Sequence, residues 1–169
     1  MKQIKIMLVD DEEHMLSALR RSLKRDGYEL VTFTAAEPAL EYLEQNPVDI
    51  VISDHRMPGM TGIDFLIQVR KLHPEIVRIL LTGYADMEVA IRAVNEGKLY
   101  RFLTKPWNDD ELKSVLQSAV NFRRFVGRNR EAVIELKIQH DHLRALETFN
   151  PGITEVVRDA SGAIIIDEA

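Results

Sequence analysis

The amino-acid sequence predicts an α/β fold, in which a five-stranded parallel sheet carries helices on both faces. Short aliphatic runs, rich in β-branched residues, alternate five times with segments whose apolar residues recur every three or four positions. The runs are nearly continuous in apolar residues, as expected for strands that are buried on both sides. The joining loops are short, which is typical of a parallel sheet with crossover helices.

Each element follows from local signals. We predict strands at residues 4–9, 29–34, 49–53, 76–81 and 100–103. We predict helices at residues 13–25, 37–44, 62–72 and 87–95, and a long one from 109 to about 147. Gly27 ends the first helix, Pro38 fits the first turn of the second, and Asn108 caps the fifth.

Length and composition restrict the class of protein. The chain has 169 residues, a net charge of −5 and no cysteine, which excludes disulfides, thiolate catalysis and zinc fingers. The acidic balance argues against a chain that binds nucleic acid or a membrane surface over its whole length. No apolar run approaches the roughly 18 residues of a membrane span, and the N-terminus has no signal core. We therefore expect a cytoplasmic protein with one main domain.

Polar residues stand where the predicted strands end. They are Asp10 and Asp11 after the first strand, Asp54 after the third, Thr82 after the fourth, and Thr104 and Lys105 after the fifth. Because the carboxyl ends of parallel strands lie at one edge of a sheet, these side chains are expected to converge. Clustered carboxylates repel one another unless a cation lies among them, and Mg²⁺ or Mn²⁺ with oxygen ligands meets that need.

The same cluster favours phosphoryl chemistry. An aspartate can attack a phosphoryl group and form an acyl phosphate. A divalent cation and Lys105 would stabilise the charge on the phosphoryl oxygens, and Thr82 can donate a hydrogen bond to one of them.

Four sequence elements, in order and at strand ends, resemble the receiver domain of two-component response regulators over about residues 3 to 122. The elements are Leu8-Val9-Asp10-Asp11-Glu12, Ser53-Asp54-His55-Arg56-Met57-Pro58-Gly59-Met60-Thr61-Gly62, Leu81-Thr82-Gly83-Tyr84 and Leu103-Thr104-Lys105-Pro106. The resemblance implies a flavodoxin-like sheet with strand order 2-1-3-4-5.

The resemblance also implies roles for residues of the acidic cluster. Asp54 is similar to the phosphoacceptor, which receives the phosphoryl group from a sensor histidine kinase or a phosphotransfer protein. Asp11 resembles the direct metal ligand, and Asp10 the one that acts through water. Asp54 itself and the backbone carbonyl of Arg56 complete the implied set of metal ligands.

Further implied roles concern the switch. Thr82 resembles the switch hydroxyl and Phe102 the switch aromatic, and Lys105 is similar to the family's lysine, with a cis bond to Pro106. Phosphorylation would then rearrange the face formed by the fourth helix, the fifth strand and the fifth helix. A strand aromatic such as Phe102 can equally be ordinary core.

Two segments resemble particular subfamilies of receivers and bear on the kind of output that the domain controls. Gly83-Tyr84-Ala85-Asp86 and the segment from Tyr100 to Trp107 look like receivers coupled to HD-GYP-type or other non-DNA-binding outputs. Arginines cluster at positions 123, 124, 128 and 130, but glutamates interleave with them as helix-pairing charges do. We therefore expect no direct DNA binding, no membrane insertion, and no enzyme activity beyond self-phosphorylation from small donors and autodephosphorylation.

The rest of the chain departs from a minimal receiver. We divide the whole chain into the receiver at 1–122, a helical, coiled-coil signalling extension at 123–148 and a short β-hairpin at 149–169. A stripe at three- and four-residue steps, apolar at seven of its nine positions, predicts a parallel homodimer through that helix. The stripe comprises Val115, Ala119, Phe122, Val126, Asn129, Val133, Leu136, His140 and Leu143. A solvated helix that frays from the domain is the alternative.

Two other functions stay open. The first is a scaffold or adaptor that is not phosphorylated and works through the C-terminal helix. The second, less favoured, is an aspartyl-phosphate phosphohydrolase of the haloacid-dehalogenase type. That family carries Asp-x-Asp on its nucleophile strand, and neither Asp10-Asp11-Glu12 nor Asp54-His55-Arg56 supplies this pattern.

Overall fold

A computed structural model describes the backbone of residues 3–149 and the side chains of residues 3–131. The strands are β1 (Lys5–Val9), β2 (Glu29–Phe33), β3 (Ile50–Asp54), β4 (Val77–Thr82) and β5 (Arg101–Thr104). The helices are α1 (Glu13–Leu23), α2 (Ala36–Gln45), α3 (Gly62–Leu72), α4 (Met87–Asn95) and α5 (Asp109–Phe149), with a 3₁₀ helix at Tyr84–Asp86. The predicted hairpin lies outside the described residues except for Phe149, which ends α5.

The strands form one parallel sheet of order β2-β1-β3-β4-β5, which confirms the predicted fold class. Alternate residues of each strand point to opposite faces and form two buried clusters. On one face the strands pack against α2, α3 and α4. On the other face they pack against α1 and the first turns of α5.

Element boundaries differ from the sequence predictions in small, physical ways. The first helix ends at Leu23 rather than at residue 25, because the N–H groups of Lys24 and Asp26 donate three residues back, to Arg21 and Leu23, in turns that lead to Gly27 with its φ of +73°. The third and fourth strands each begin and end one residue later than predicted, so Asp54 and Thr82 are the last residues of β3 and β4. The 3₁₀ helix was not predicted; its Asp86 N–H donates to the carbonyl of Gly83 at 3.2 Å.

Within the described residues, no helix is both long enough and apolar enough to cross a membrane.

Candidate functional site

Three carboxylates meet at the carboxyl edge of the sheet. Asp10 and Asp11 directly follow β1, and Asp54 ends β3, the strand beside it. One carboxylate oxygen from each of these residues lies within 4.8 Å of the others. Asp10 is 0% exposed and Asp54 6% exposed, whereas Asp11 is exposed. The juxtaposition predicted from the strand ends is therefore present.

Lys105 supplies the positive charge at this edge. Its Nζ lies 2.8 Å from Oδ1 of Asp54 and 2.8 Å from Oδ2 of Asp10. Burial raises the pKa of Asp54 above its ordinary value, against the opposing effect of the bond to Lys105. Burial alone would lower the pKa of Lys105, but the bonds to Asp10 and Asp54 outweigh it and leave this pKa raised. The ammonium therefore stays charged and neutralises part of the acidic cluster.

The donor set fits a hard divalent cation. Both oxygens of Asp10 are engaged, Oδ2 by Lys105 and Oδ1 by the backbone N–H of Glu12 at 3.0 Å. Asp11 is exposed, so its carboxylate can reach a cation without breaking a contact in the core. Three oxygen donors within 4.8 Å suit Mg²⁺, which takes one or two protein carboxylates together with water and phosphate oxygens.

The backbone around Asp54 is held from two sides. The buried hydroxyl of Ser53 donates to the carbonyl of Asp54 at 2.9 Å, and the N–H of His55 donates to Leu81 on β4. Gly62, at the start of α3, packs so closely that a Cβ there would lie 1.8 Å from the carbonyl oxygen of Asp54. The carboxylate of Asp54 thus projects from a closely packed backbone.

The residues predicted for switching lie on the neighbouring strands. Thr82 is fully buried, and its hydroxyl donates to the carbonyl of Gly83 over a long 3.3 Å. Phe102 is half-buried and packs against the cluster that contains the buried face of α4. The peptide bond between Lys105 and Pro106 is cis, as predicted.

One contact near the site escaped the sequence analysis. Nε and Nη2 of Arg56 donate to the two carboxylate oxygens of Asp86, at 2.6 and 3.0 Å. This bidentate pair joins the loop after Asp54 to the 3₁₀ helix before α4. The two residues are 30 positions apart, and no spacing rule connects them.

A doubly covered parallel sheet of order 2-1-3-4-5, with an acidic pocket and a lysine at its carboxyl edge, is the architecture of a flavodoxin-like α/β domain. The model of the response regulator receiver domain matches residues 6–117. The chain belongs to this family, the receiver domains of two-component systems. It is a signalling domain, and the magnesium site of such domains corresponds to the pocket formed by Asp10, Asp11 and Asp54.

Curated and solved relatives agree with this assignment. The hydrogenase transcriptional regulatory protein HoxA of Cupriavidus necator is 38% identical over 143 residues, which cover 85% of this chain and 30% of HoxA. The DNA-binding transcriptional regulator NtrC of Escherichia coli is 32% identical over 116 residues, covering 69% of this chain and 24% of NtrC. A signal receiver domain of an HD domain-containing protein from Pseudomonas fluorescens is 37% identical, with a TM-score of 0.69 over 73% of this chain and 98% of that chain. The chain thus spans less than a third of these two curated relatives.

These relatives overturn one prediction. We expected no direct DNA binding, yet the curated relatives are transcriptional regulators, and NtrC is named as DNA-binding. The expectation rested on motifs around Tyr84 and Trp107 and on the glutamates that interleave with the arginine cluster. Net charge does not identify what a signalling domain controls, and one fold supports many kinds of output.

Proposed function

We propose that the chain is a phosphorylation-driven switch, in which Asp54 accepts a phosphoryl group from a histidine kinase. One observation carries this proposal: the carboxylate of Asp54 is nearly buried, yet it lies at the pocket edge beside the ammonium of Lys105 and the two other carboxylates. A carboxylate in that position can act as a nucleophile, and the surrounding charges can stabilise the transferred group.

The transfer balances as a simple displacement. An oxygen of Asp54 forms a bond to phosphorus while the bond from phosphorus to the kinase's histidine nitrogen breaks, and the imidazole takes up a proton. A small donor such as acetyl phosphate would lose acetate in the same way. Lys105 exchanges its bond to Asp54 for one to a phosphoryl oxygen and keeps its bond to Asp10.

Asp11, Asp54 and the backbone carbonyl of Arg56 would hold Mg²⁺ or Mn²⁺, with Asp10 acting through water. The bound ion would supply positive charge against the phosphoryl oxygens. Thr82 is placed to respond to the product. Its weak bond to the carbonyl of Gly83 costs little to exchange for a stronger one to a charged phosphoryl oxygen.

The consequence would be a new packing of α4, β5 and α5. Phe102 on β5 lies half-buried against the same cluster as α4, so a shift of the loop after Thr82 would alter its surroundings. We assign Phe102 the role of switch aromatic on this basis. The acyl phosphate would favour one of two packings and thereby shift their populations.

The extension at 123–148 would pass the signal on by pairing with a second copy. The first two residues of the predicted stripe, Val115 and Ala119, already pack into the receiver's own core. Phe122 and Phe125 are 46% and 57% exposed, so the surface available for pairing begins there. Sedimentation at high concentration, with and without a phosphodonor, tests this; only monomer in both conditions would refute it.

We further propose a transcriptional output, because HoxA and NtrC share the matched region. Transcript profiles of cells carrying Asp54→Ala, compared with a wild-type strain, test this proposal. A changed set of transcripts is expected, and identical profiles would contradict it.

The direct test of the switch is mass spectrometry after incubation with acetyl phosphate and Mg²⁺. We expect one added phosphoryl group on the wild type and none on Asp54→Ala. The matched control is Asp64→Ala, which removes an exposed carboxylate from α3 and should leave phosphorylation intact. An unmodified wild type together with full signalling by Asp54→Ala would favour the non-phosphorylated scaffold instead. Sustained hydrolysis of phosphate esters would favour the phosphohydrolase.

A further inference from the structure

Helix α4 is held differently at its two ends. Its first residues follow the 3₁₀ helix, where the carboxylate of Asp86 accepts hydrogen bonds from Arg56. The side chain of Arg56 is 72% exposed, so this contact can exchange with water or with another anion. The loop that folds back over the last turn of α4 is held by a different arginine, in a less exposed place.

That second arginine is Arg78, a charged residue inside β4. It is half-buried, and it projects from the same face of the strand as Leu80, which lies in the cluster with α4. Its Nε donates to the carbonyl of Lys98 at 3.1 Å, and its Nη1 donates to the carbonyl of Ile76 at 2.6 Å. A charged side chain at such a position in a sheet needs partners, and backbone carbonyls provide them.

Lys98 connects this guanidinium to α4. While its carbonyl accepts from Arg78, its own N–H donates to the carbonyl of Ala93 in the last turn of the helix, at 2.9 Å. Gly97, with a φ of +69°, makes the turn that brings Lys98 back over the helix end. The backbone carbonyl of Arg78 also accepts from Tyr100, so both sides of the connection from α4 to β5 are fixed to β4.

The side chains along the middle of α4 do little to hold the helix in place. Its buried residues are Ala90 and Ala93, which offer small contact areas. Val89 and Ile91 are 45% and 43% exposed. Val94 and Leu99 add apolar contacts near the C-terminal end of the helix, which is the same end that the hydrogen bonds of Arg78 hold.

We propose that Arg78 is a positioning residue that fixes the C-terminal end of α4, so that the helix pivots there and moves at its N-terminal end when Asp54 is phosphorylated. The pivoting of α4 rests on the proposed function, because it requires phosphorylation of Asp54. The anchoring of the C-terminal end of α4 by Arg78 is a property of the unphosphorylated chain. A new phosphoryl charge next to Arg56 can compete with Asp86, whereas the backbone partners of Arg78 carry no exchangeable charge.

Hydrogen exchange of the full chain, resolved by NMR, tests the anchor without any phosphodonor. The amides of Gly97, Lys98 and Leu99 all donate to the last turn of α4 and report directly on its C-terminal end. In Arg78→Leu we expect them to exchange about tenfold faster, because the local opening costs less free energy. Arg78→Lys should restore part of the protection, since an ammonium can still donate to one carbonyl but lacks the planar fork.

The matched control is Arg70→Leu. Arg70 is exposed on α3, and its positive charge is close enough to Arg78 to lower the pKa of that guanidinium, after the larger effect of burial. This control removes the same kind of charge from the same region without removing the bonds to Lys98. We expect its exchange at 97–99 to equal the wild type.

The pivot is tested by repeating the measurement with acetyl phosphate and Mg²⁺. We expect the amides of residues 87–91 to change by about tenfold and those of 97–99 by less than about twofold in the wild type. In Arg78→Leu both ends should change. Equal changes at both ends of the wild type, or unaltered exchange at 97–99 in Arg78→Leu, would overturn the proposal. If the wild type is not phosphorylated, mass spectrometry shows this as a missing phosphoryl mass. That result would refute the pivoting of α4, while the anchoring of its C-terminal end by Arg78 would still be judged by the first exchange measurement.

Discussion

The Nζ atom of Lys105 lies 2.8 Å from Oδ1 of Asp54. The same atom lies 2.8 Å from Oδ2 of Asp10, so one ammonium joins residues at the ends of β1, β3 and β5. Since Asp10 is fully buried and Asp54 nearly so, the lysine balances two charges that water reaches poorly. The resting site is therefore a three-residue ionic cluster, and its stability and its chemistry depend on the same atoms.

Replacing Lys105 with Met should destabilise the chain. The substitution leaves Asp10 and Asp54 without their cation, and breaking a buried ion pair from one side costs about 3 kcal/mol. Urea unfolding near neutral pH measures the loss, and added Mg²⁺ should recover part of it. The control is Lys113→Met, because Lys113 is 45% exposed and lies 3.9 Å from its partner Asp26. A loss in Lys105→Met no larger than in this control would contradict the structure.

Asp54→Asn should have the opposite effect, and the effect should depend on pH. Because burial raises the pKa of Asp54 above 3.8, the folded chain binds this proton more tightly than the unfolded chain does. Stability from this group is thus greatest below the unfolded pKa and falls as the pH rises through the folded pKa. The amide removes that fall, so we expect Asp54→Asn to be more stable than the wild type near neutral pH, by a margin that shrinks in acid.

Unfolding curves across the acidic range test this prediction. The control is Asp110→Asn, which changes an exposed carboxylate and should move stability by less than about 0.5 kcal/mol. A gain for Asp54→Asn that stays constant with pH would show that its origin is not titration.

The two adjacent aspartates after β1 should respond differently to amide substitution. Asp11 is exposed, so Asp11→Asn should weaken Mg²⁺ binding by roughly tenfold or more while stability without metal stays nearly constant. Asp10 is engaged by Lys105 and by the N–H of Glu12, so Asp10→Asn should alter stability even without metal. Calorimetric Mg²⁺ titration and urea unfolding of both variants separate these effects. The reverse pattern would exchange the roles of the two residues.

The sequence was sufficient to predict the pocket because its members are placed by regular structure. Asp54 and Thr82 end neighbouring strands, and the alternation of strands and helices already put those ends at one edge. The contacts of arginine side chains could not be predicted in this way. Arg56 reaches Asp86 across 30 residues and Arg78 reaches Lys98 across 20, and both depend on how loops pack rather than on periodicity.

The wrong prediction about DNA has a related cause. The charge and motif patterns in this chain report on the surface of the receiver and the start of its long helix. They do not report on the output that the receiver controls. The output of a signalling domain is set by what it is joined to or binds, so the similarity to NtrC and HoxA carried information that the composition lacked.

The pairing of Arg56 with Asp86 should be detectable as a lowered midpoint in the titration of the Asp86 carboxyl group. The hydrogen bonds from Arg56 hold the pKa of Asp86 below its ordinary value of 3.8, and stability from this pair is lost as the pH falls through that lowered value. In Arg56→Gln we expect the midpoint to rise towards the ordinary value. NMR of the side-chain carbonyl of Asp86 measures both midpoints. Identical midpoints would mean that the two side chains do not pair in solution.

Gly62→Ala should distort the site around Asp54 through sterics alone. The added Cβ would lie 1.8 Å from the carbonyl oxygen of Asp54 and 2.7 Å from its carbonyl carbon, and both are backbone atoms that cannot rotate away. Either α3 or the end of β3 must shift, at a cost of about 2–3 kcal/mol, and the carboxylate of Asp54 would move away from Lys105. We therefore expect a lower midpoint of urea unfolding together with slower phosphorylation by acetyl phosphate.

The matched substitution for that test is Gly83→Ala. Gly83 also lies in a loop of the site, but a Cβ there meets nothing within 4 Å and its φ of −78° suits any residue. Its alanine variant should be as stable as the wild type or more stable by about 0.5 kcal/mol, because the unfolded chain loses freedom. If both variants unfolded at the wild-type midpoint, the start of α3 would have to be less closely packed against Asp54 than the structure shows.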